Sequence, residues 1–144
     1  EKVAMQIEDV IGLDASDAIY VSAKTGQGID DIFETLIERL NPPLGSNNKE
    51  TKALLVDSWY DSYLGVVVLV RVIDGELTKG QKIKMLGTNS YYTIDEVGIF
   101  TPKKVPLKTI QAGEIGYIIA GIKNVSDTQV GDTITDFQKH RLIP

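Results

Sequence analysis

The sequence contains no cysteine and only one histidine, and these two shortages exclude several kinds of site. Without thiols the chain can form neither a disulfide nor a thiolate metal site. The histidine, His140, lies in a polar C-terminal tail, where solvation is the ordinary outcome. Neither a Ser-His-Asp nor a Cys-His arrangement, nor a histidine-rich metal centre, can be built around it. We therefore expect no catalytic residues and no bound metal in this chain.

Long apolar runs are also missing. The longest, residues 64–70, is far shorter than the roughly 20 residues that a membrane-spanning helix requires. No basic and apolar leader of the secretory kind opens the sequence. We expect a cytoplasmic protein and, because the chain starts on Glu1 rather than methionine, a piece of a longer one.

The charge is unevenly distributed along the 144 residues, whose net charge is −5. Residues 1–51 hold four basic and ten acidic side chains, whereas residues 52–144 hold eleven and ten. Such an asymmetry indicates two units with different roles.

The first unit, residues 1–43, shows the pattern of the end of an α/β domain. Apolar residues recur at helical spacing from Ile29 to Leu40, which predicts a helix. Asp30 and Asp31 are expected to cap its start, and Asn41-Pro42-Pro43 stops it. A weaker helix is predicted over residues 2–10 and a short buried strand over residues 18–21. This strand needs sheet partners, which the sequence does not contain.

The rest of the chain has the pattern of a small antiparallel β-barrel. A polar, flexible linker is predicted over residues 44–52, and the barrel over residues 53–135. Short apolar runs alternate there with glycine-centred turns, and a bulge is plausible at Glu96-Val97. A tail, residues 136–144, follows. The predicted fold class is therefore mixed and mainly β.

Ser22, Ala23 and Lys24 lie in the loop between the predicted strand and helix, followed by Gly26 and Gly28. A loop at this position presents free backbone N–H groups at the carboxyl end of a parallel strand, where α/β sheets bind ligands. A plain turn with a solvated Lys24 is the alternative.

Longer motifs carry a resemblance to known proteins. SAKTGQGIDDIFETLIERL (22–40) resembles the last nucleotide-contacting loop and closing helix of the G domain of small and translational GTPases. The barrel sequence resembles domain 2 of ribosomal translation factors. DSWYDSYLGV (57–66) and GIFTPK (98–103) are similar to one branch, the LepA or elongation factor 4 family.

The resemblance implies a parent protein that binds GTP or GDP with Mg²⁺, hydrolyses GTP and acts on the ribosome during elongation. It implies that Ser22, Ala23 and Lys24 contact guanine, and that the barrel docks on small-subunit rRNA and relays the nucleotide state between domains. Further implied partners are tRNA-bearing complexes and the parent's other domains. The implied location is the bacterial cytoplasm, with peripheral association at the inner membrane.

The groups that GTP hydrolysis requires are missing from this chain. It has neither the phosphate loop GxxxxGK[ST] nor the guanine-binding NKxD, and we identify no Mg²⁺-binding aspartate. We therefore expect no GTP hydrolysis and no cofactor in the chain alone.

Two further groups of residues stand out in the barrel. Trp59, Tyr60 and Tyr63 are expected to form an aromatic cluster, for which packing between domains is favoured over stacking on a nucleic-acid base. A basic loop contains Lys103, Lys104 and Lys108, with Pro102 and Pro106 nearby. This loop either contacts rRNA phosphates or is simply solvated. An autonomous β-barrel that binds RNA or protein without nucleotide remains the alternative function.

Overall fold

The computed structural model describes residues 2–137, and the chain divides into two compact units between Asn41 and Pro42. His140 and all but the first two residues of the predicted tail lie outside the described residues. No helix in the described part of the chain is long and apolar enough to cross a membrane.

The first unit is mainly helical. Helix α1 spans Lys2–Gln6 and continues as a π-helical turn over Ile7–Ile11, and helix α2 spans Ile29–Arg39. Both predicted helices are thus confirmed. The prediction that Asp30 and Asp31 cap α2 is wrong. Gly28, in the left-handed region at φ 71°, occupies the N-cap position, and no side chain caps the helix. The aspartates still lie in the first turn, where the helix dipole favours negative charge.

The strand predicted over residues 18–21 is wrong as a description of this structure. These residues have no regular structure, and Ile19, Tyr20 and Val21 are exposed. A strand requires a partner for its backbone N–H and C=O groups, and none of the described residues pairs with this segment. Apolar side chains alone do not make a strand.

The second unit is an antiparallel β-barrel. Within the described residues its strands are β1 Lys52–Asp61, β2 Gly65–Asp74, β3 Glu76–Thr78, β4 Lys82–Met85, β5 Ser90–Thr93, β6 Glu96–Phe100, β7 Lys104–Leu107, β8 Thr109–Gln111, β9 Ile115–Ile119 and β10 Thr133–Asp136. Eight form one sheet in the order β5-β4-β10-β1-β2-β9-β6-β7, and β3 pairs with β8. The predicted mainly-β fold class is confirmed.

The barrel interior follows from the two-residue period of its strands. Val66, Val68, Val70 and Val72 of β2 all point into one core, which also receives alternate residues of the other strands. Val67 points the other way, yet it is only 1% exposed because it belongs to a second cluster on the outer face. Both faces of β2 are therefore covered in the first part of the strand, whereas Arg71 further along is exposed.

The predicted bulge at Glu96-Val97 is wrong. Residues 91–100 form two separate strands, β5 and β6, divided by buried Ile94 and exposed Asp95. They lie near opposite ends of the sheet order. The chain therefore changes strand just before Glu96, and the pairing of β1 with β2 is where register shifts occur.

Residues 44–51, predicted as part of a flexible linker, are bonded to the barrel, and we call them the strap. Ser46 N–H donates to Asp74 Oδ1 at 3.0 Å, and the Ser46 carbonyl accepts from Gly75 N–H at 2.9 Å. The side chain of Asn47 bonds both Gln111 and the backbone of Ala112. Polar groups of this segment form hydrogen bonds with the turns of the barrel. The polar composition of residues 44–51 therefore does not make them a flexible linker.

Candidate nucleotide and ribosome contact sites

The Ser22–Lys24 loop is a closed, exposed turn. Ser22 N–H donates to the Gln27 carbonyl at 3.0 Å, and the Ser22 carbonyl accepts from Gly26 N–H at 2.8 Å. Ala23 and Lys24 are exposed at its tip. Among the described residues, no hydrogen bond is made by the backbone N–H of Ala23 or Lys24. These two amides are free to donate to a ligand.

Glycine is required where this turn enters α2. At Gly28 a Cβ atom would lie 2.5 Å from the Tyr20 carbonyl oxygen, and the positive φ adds strain for any other residue. An ion pair of 3.4 Å between Arg39 and Asp17 joins the end of α2 to the segment before the loop, with both side chains largely exposed. Exposed pairs of this kind contribute little to stability.

The three aromatic residues predicted to cluster are not brought together. Trp59 and Tyr60 are neighbours on β1 and point to opposite faces of the sheet, where they lie beside Val67 and Val66 respectively. Tyr63 is in the β1–β2 turn and is 96% exposed. Of the three, only Trp59 makes a ring contact in the described part of the chain, and its partner is Phe100, with centroids 5.9 Å apart. Consecutive residues of a strand cannot share a face.

Trp59 belongs instead to a surface that we call the aromatic face, built from Trp59, Phe100 and Tyr117 on the outside of β1, β6 and β9. The Phe100 and Tyr117 centroids are 5.0 Å apart. Tyr117 is fully buried beneath, together with Val67 and Ile119, while Trp59 and Phe100 remain 37% and 39% exposed. The buried ring of Tyr117 therefore supports the partly exposed rings of Trp59 and Phe100.

Tyr117 is hydrogen-bonded and closely packed in this surface. Its hydroxyl donates to Glu96 Oε1 at 2.7 Å, and Gly98 on the neighbouring strand leaves room for its ring, since a Cβ there would lie 2.6 Å from the hydroxyl oxygen. Burial, and then the hydrogen bond and negative charge of Glu96, raise the pKa of Tyr117 to about 12. The phenol is neutral at physiological pH.

The predicted basic loop is largely an edge strand. Lys103 lies in the turn between β6 and β7, Lys104 is the first residue of β7, and Lys108 follows that strand. Lys104 Nζ is 5.0 Å from the centroid of Tyr117, which places a cation on the aromatic face. Lysine and proline on an outermost strand also prevent pairing with other chains, so their presence has a structural reason as well.

Sequence inspection missed Phe100 and Tyr117, whose positions on this face are set by strand pairing. In β9 the alternation of Gly116, Tyr117 and Ile118 places a large aromatic residue on the outer face, opposite Gly98. A large residue facing a glycine across two strands is typical of a ring that packs over the backbone.

In residues 2–137 no group of His, Cys, Asp or Glu side chains could hold a metal ion.

Comparison with known proteins supports the identity of the barrel. Residues 65–135 match the family "Elongation factor Tu domain 2". The chain also resembles the crystal structure of a bacterial selenocysteine-specific elongation factor, with a TM-score of 0.67 over 82% of this chain and 22% sequence identity. The chain spans 20% of the length of that protein. Residues 65–135 therefore resemble the second domain of elongation factor Tu, and the barrel has the fold of that domain.

Proposed function

We propose that this chain is part of a ribosome-associated translational GTPase of the LepA, or elongation factor 4, type. The family match of residues 65–135 is the observation that carries the proposal at the level of translation factors. The finer assignment rests on the motifs DSWYDSYLGV and GIFTPK, which belong to the β1–β2 and β6–β7 hairpins. In the parent protein the barrel docks on small-subunit rRNA and relays the nucleotide state to other domains.

The Ser22–Lys24 loop is proposed to contact the guanine base in the parent. Free backbone amides at Ala23 and Lys24 suit a carbonyl acceptor on a base, and the closed turn holds them in place without a ligand. Phosphate binding, Mg²⁺ and the attacking water would all depend on residues outside this chain. Binding and hydrolysis of GTP are accordingly proposed for the parent alone, in the bacterial cytoplasm and with peripheral association at the inner membrane.

Equilibrium binding of a fluorescent GDP analogue tests the nucleotide half of the proposal. This chain should show no saturable binding, since most of the binding energy for a nucleotide comes from phosphate contacts that it lacks. Tight guanine-specific binding by these 144 residues would contradict the proposal.

Co-sedimentation with purified small ribosomal subunits tests the docking half. The chain should sediment with the subunit at low salt, and replacing Lys103, Lys104 and Lys108 by glutamate should abolish this. Lys123→Glu is the control, because this lysine is exposed elsewhere on the barrel. Equal loss in both variants would show a non-specific effect of charge and overturn the assignment of the docking surface.

A further inference from the structure

A second surface of the barrel carries three lysines and two aromatic rings that no sequence motif had indicated. Directly paired residues of antiparallel strands point to the same face. Lys52 of β1 pairs with Thr135 of β10, Thr135 with Lys84 of β4, and Lys84 with Tyr91 of β5. These four residues therefore form one row across four strands.

The row lies on the outside of the barrel. The residues that alternate with it, such as Ala53, Ile83 and Ile134, are all in the buried core. Beside Tyr91 lie Lys82, exposed two residues along β4, and Phe137, whose ring meets that of Tyr91 edge-on at 5.1 Å. We call this surface the lysine face; its members are Lys52, Lys82, Lys84, Tyr91, Thr93, Thr133, Thr135 and Phe137.

The three lysines lie close together on this face. Neighbouring strands lie about 4.8 Å apart, so the backbones at Lys52 and Lys84, separated by β10, are roughly 10 Å apart. Lys82 lies about 7 Å further along its strand. Asp136, the acidic residue of β10, pairs with Ile83 and therefore points to the other side, where it accepts a hydrogen bond from Gln81 at 3.0 Å. None of the eight members is acidic.

Two cavities open on this face. One, of about 560 Å³, lies between the strap and the outer side of β1 and β10, where Lys52, Thr133 and Thr135 line it. Two acidic residues line it too: Asp74, whose carboxylate is paired with Lys49 at 3.2 Å, and Glu50 of the strap, which is exposed. The other, of about 280 Å³, is lined by Lys82, Tyr91 and Phe137 among others. Lysine ammonium groups, threonine hydroxyls and the partly exposed ring of Tyr91 therefore line these two cavities.

We propose that the lysine face binds single-stranded RNA, with Lys52, Lys82 and Lys84 against phosphates and Tyr91 as a stacking platform. Positive charge that follows the backbone together with aromatic rings is the combination by which single strands are bound without sequence preference. A protein partner is disfavoured, because the centres of protein interfaces are depleted in lysine. This surface is separate from the aromatic face and from Lys103, Lys104 and Lys108, so the inference goes beyond the proposed docking site.

Fluorescence anisotropy with a short, labelled single-stranded RNA of mixed sequence tests the proposal on the whole chain. Lys52→Gln with Lys84→Gln should weaken binding roughly tenfold at low salt, and the slope of log affinity against log salt should fall by about 1.4, or 0.7 for each lost phosphate contact. Tyr91→Leu keeps an apolar contact for Phe137 and should weaken binding while leaving the slope unchanged.

A control pair makes the result specific. Lys79→Gln with Lys123→Gln removes the same charge from exposed positions outside the lysine face, and it should retain the affinity and salt slope of the original chain. If the lysine-face pair also retains them, or if polyglutamate displaces the RNA as effectively as unlabelled RNA does, the proposal is overturned. The docking proposal is tested by co-sedimentation with small subunits, which is a separate measurement. It can therefore hold even if the lysine face does not bind single-stranded RNA.

Discussion

Tyr117 combines in one residue the packing and the chemistry of the aromatic face. Its ring supports Phe100, carries the Lys104 ammonium above it and lies over Gly98, while its hydroxyl is bonded to Glu96. A phenolate in that position would lose its hydrogen bond to Glu96 and face a like charge within a buried cluster. The protein therefore holds this group in its neutral form, and stability must depend on alkaline pH.

The sign of that dependence follows from the raised pKa. An unfolded tyrosine loses its proton near pH 10, whereas folded Tyr117 retains it to a pKa of about 12. The folded state thus binds more protons between these values, and the free energy of unfolding should decrease as the pH rises from about 10 to 12. Below pH 10 the contribution is fully present.

Chemical denaturation of the chain and of Tyr117→Phe, repeated from pH 8 to 11.5, measures this contribution. The variant should differ by about 1 kcal/mol at pH 8, where one hydrogen bond is lost, and should lose stability less steeply above pH 10. Exposed Tyr63→Phe is the matched control and should follow the original chain throughout. Parallel curves for all three proteins would mean that Tyr117 titrates normally.

Among the elements, α2 leaves its apolar residues largely exposed. Phe33, Leu36, Ile37 and Leu40 form the apolar stripe of the helix and its C-terminal end, yet all four are at least 45% exposed, and no residue of the helix is buried. A helix of 11 residues has little stability without tertiary packing. The end of a G domain separated from its sheet would leave such a stripe uncovered.

Hydrogen exchange should therefore separate α2 from the barrel strands. Amides of residues 32–40 should exchange by local opening, orders of magnitude faster than those of residues 66–70 in the central strand β2, whose side chains are mostly buried. Mass spectrometry of peptides covering the two segments in the monomer provides the comparison. Equal protection would contradict the proposal that this helix depends on the sheet of a G domain for its packing.

Local signals in the sequence were sufficient for elements that depend on local physics. Apolar residues spaced i, i+3, i+4 correctly predicted α2. Glycines such as Gly75, Gly80 and Gly113 mark turns because each has a positive φ. Elements that depend on distant partners were not predictable in this way. Residues 18–21 have the composition of a strand and no partner within residues 2–137, and residues 91–100 have the alternation of one strand and form two.

Surface sites show the same limit more strongly. Lys103 and Lys104 were found because they are adjacent in sequence, whereas the row of Lys52, Lys84 and Tyr91 is created by pairing across strands far apart in the chain. Trp59 and Tyr60 were grouped because they are neighbours, and the pleat separates them. Register decides which residues share a face, and a single sequence does not contain it.

At the scale of the whole molecule, the boundary between the units does not fall where the composition changes. Polar residues 44–51 form the strap and belong to the barrel through Ser46, Asn47 and Thr51, whose hydroxyl donates to the Glu76 carbonyl at 2.9 Å. The unit boundary at Asn41–Pro42 lies before all of them. The barrel should therefore be an independent folding unit only when the strap is retained.

Two truncations test this boundary. A chain that starts at Pro42 should unfold within about 0.5 kcal/mol of the barrel transition in the full chain, since no strap contact is lost. A chain that starts at Lys52 loses the strap's hydrogen bonds and should be destabilised by on the order of 2–4 kcal/mol, because several bonds of about 1 kcal/mol each disappear and the groups they covered are left to water. Urea denaturation followed by Trp59 fluorescence reports the barrel in all three proteins, as the indole lies on β1 against Phe100. Identical midpoints for the two truncated chains would mean that the strap rests on the barrel without stabilising it, and the domain would then begin at β1.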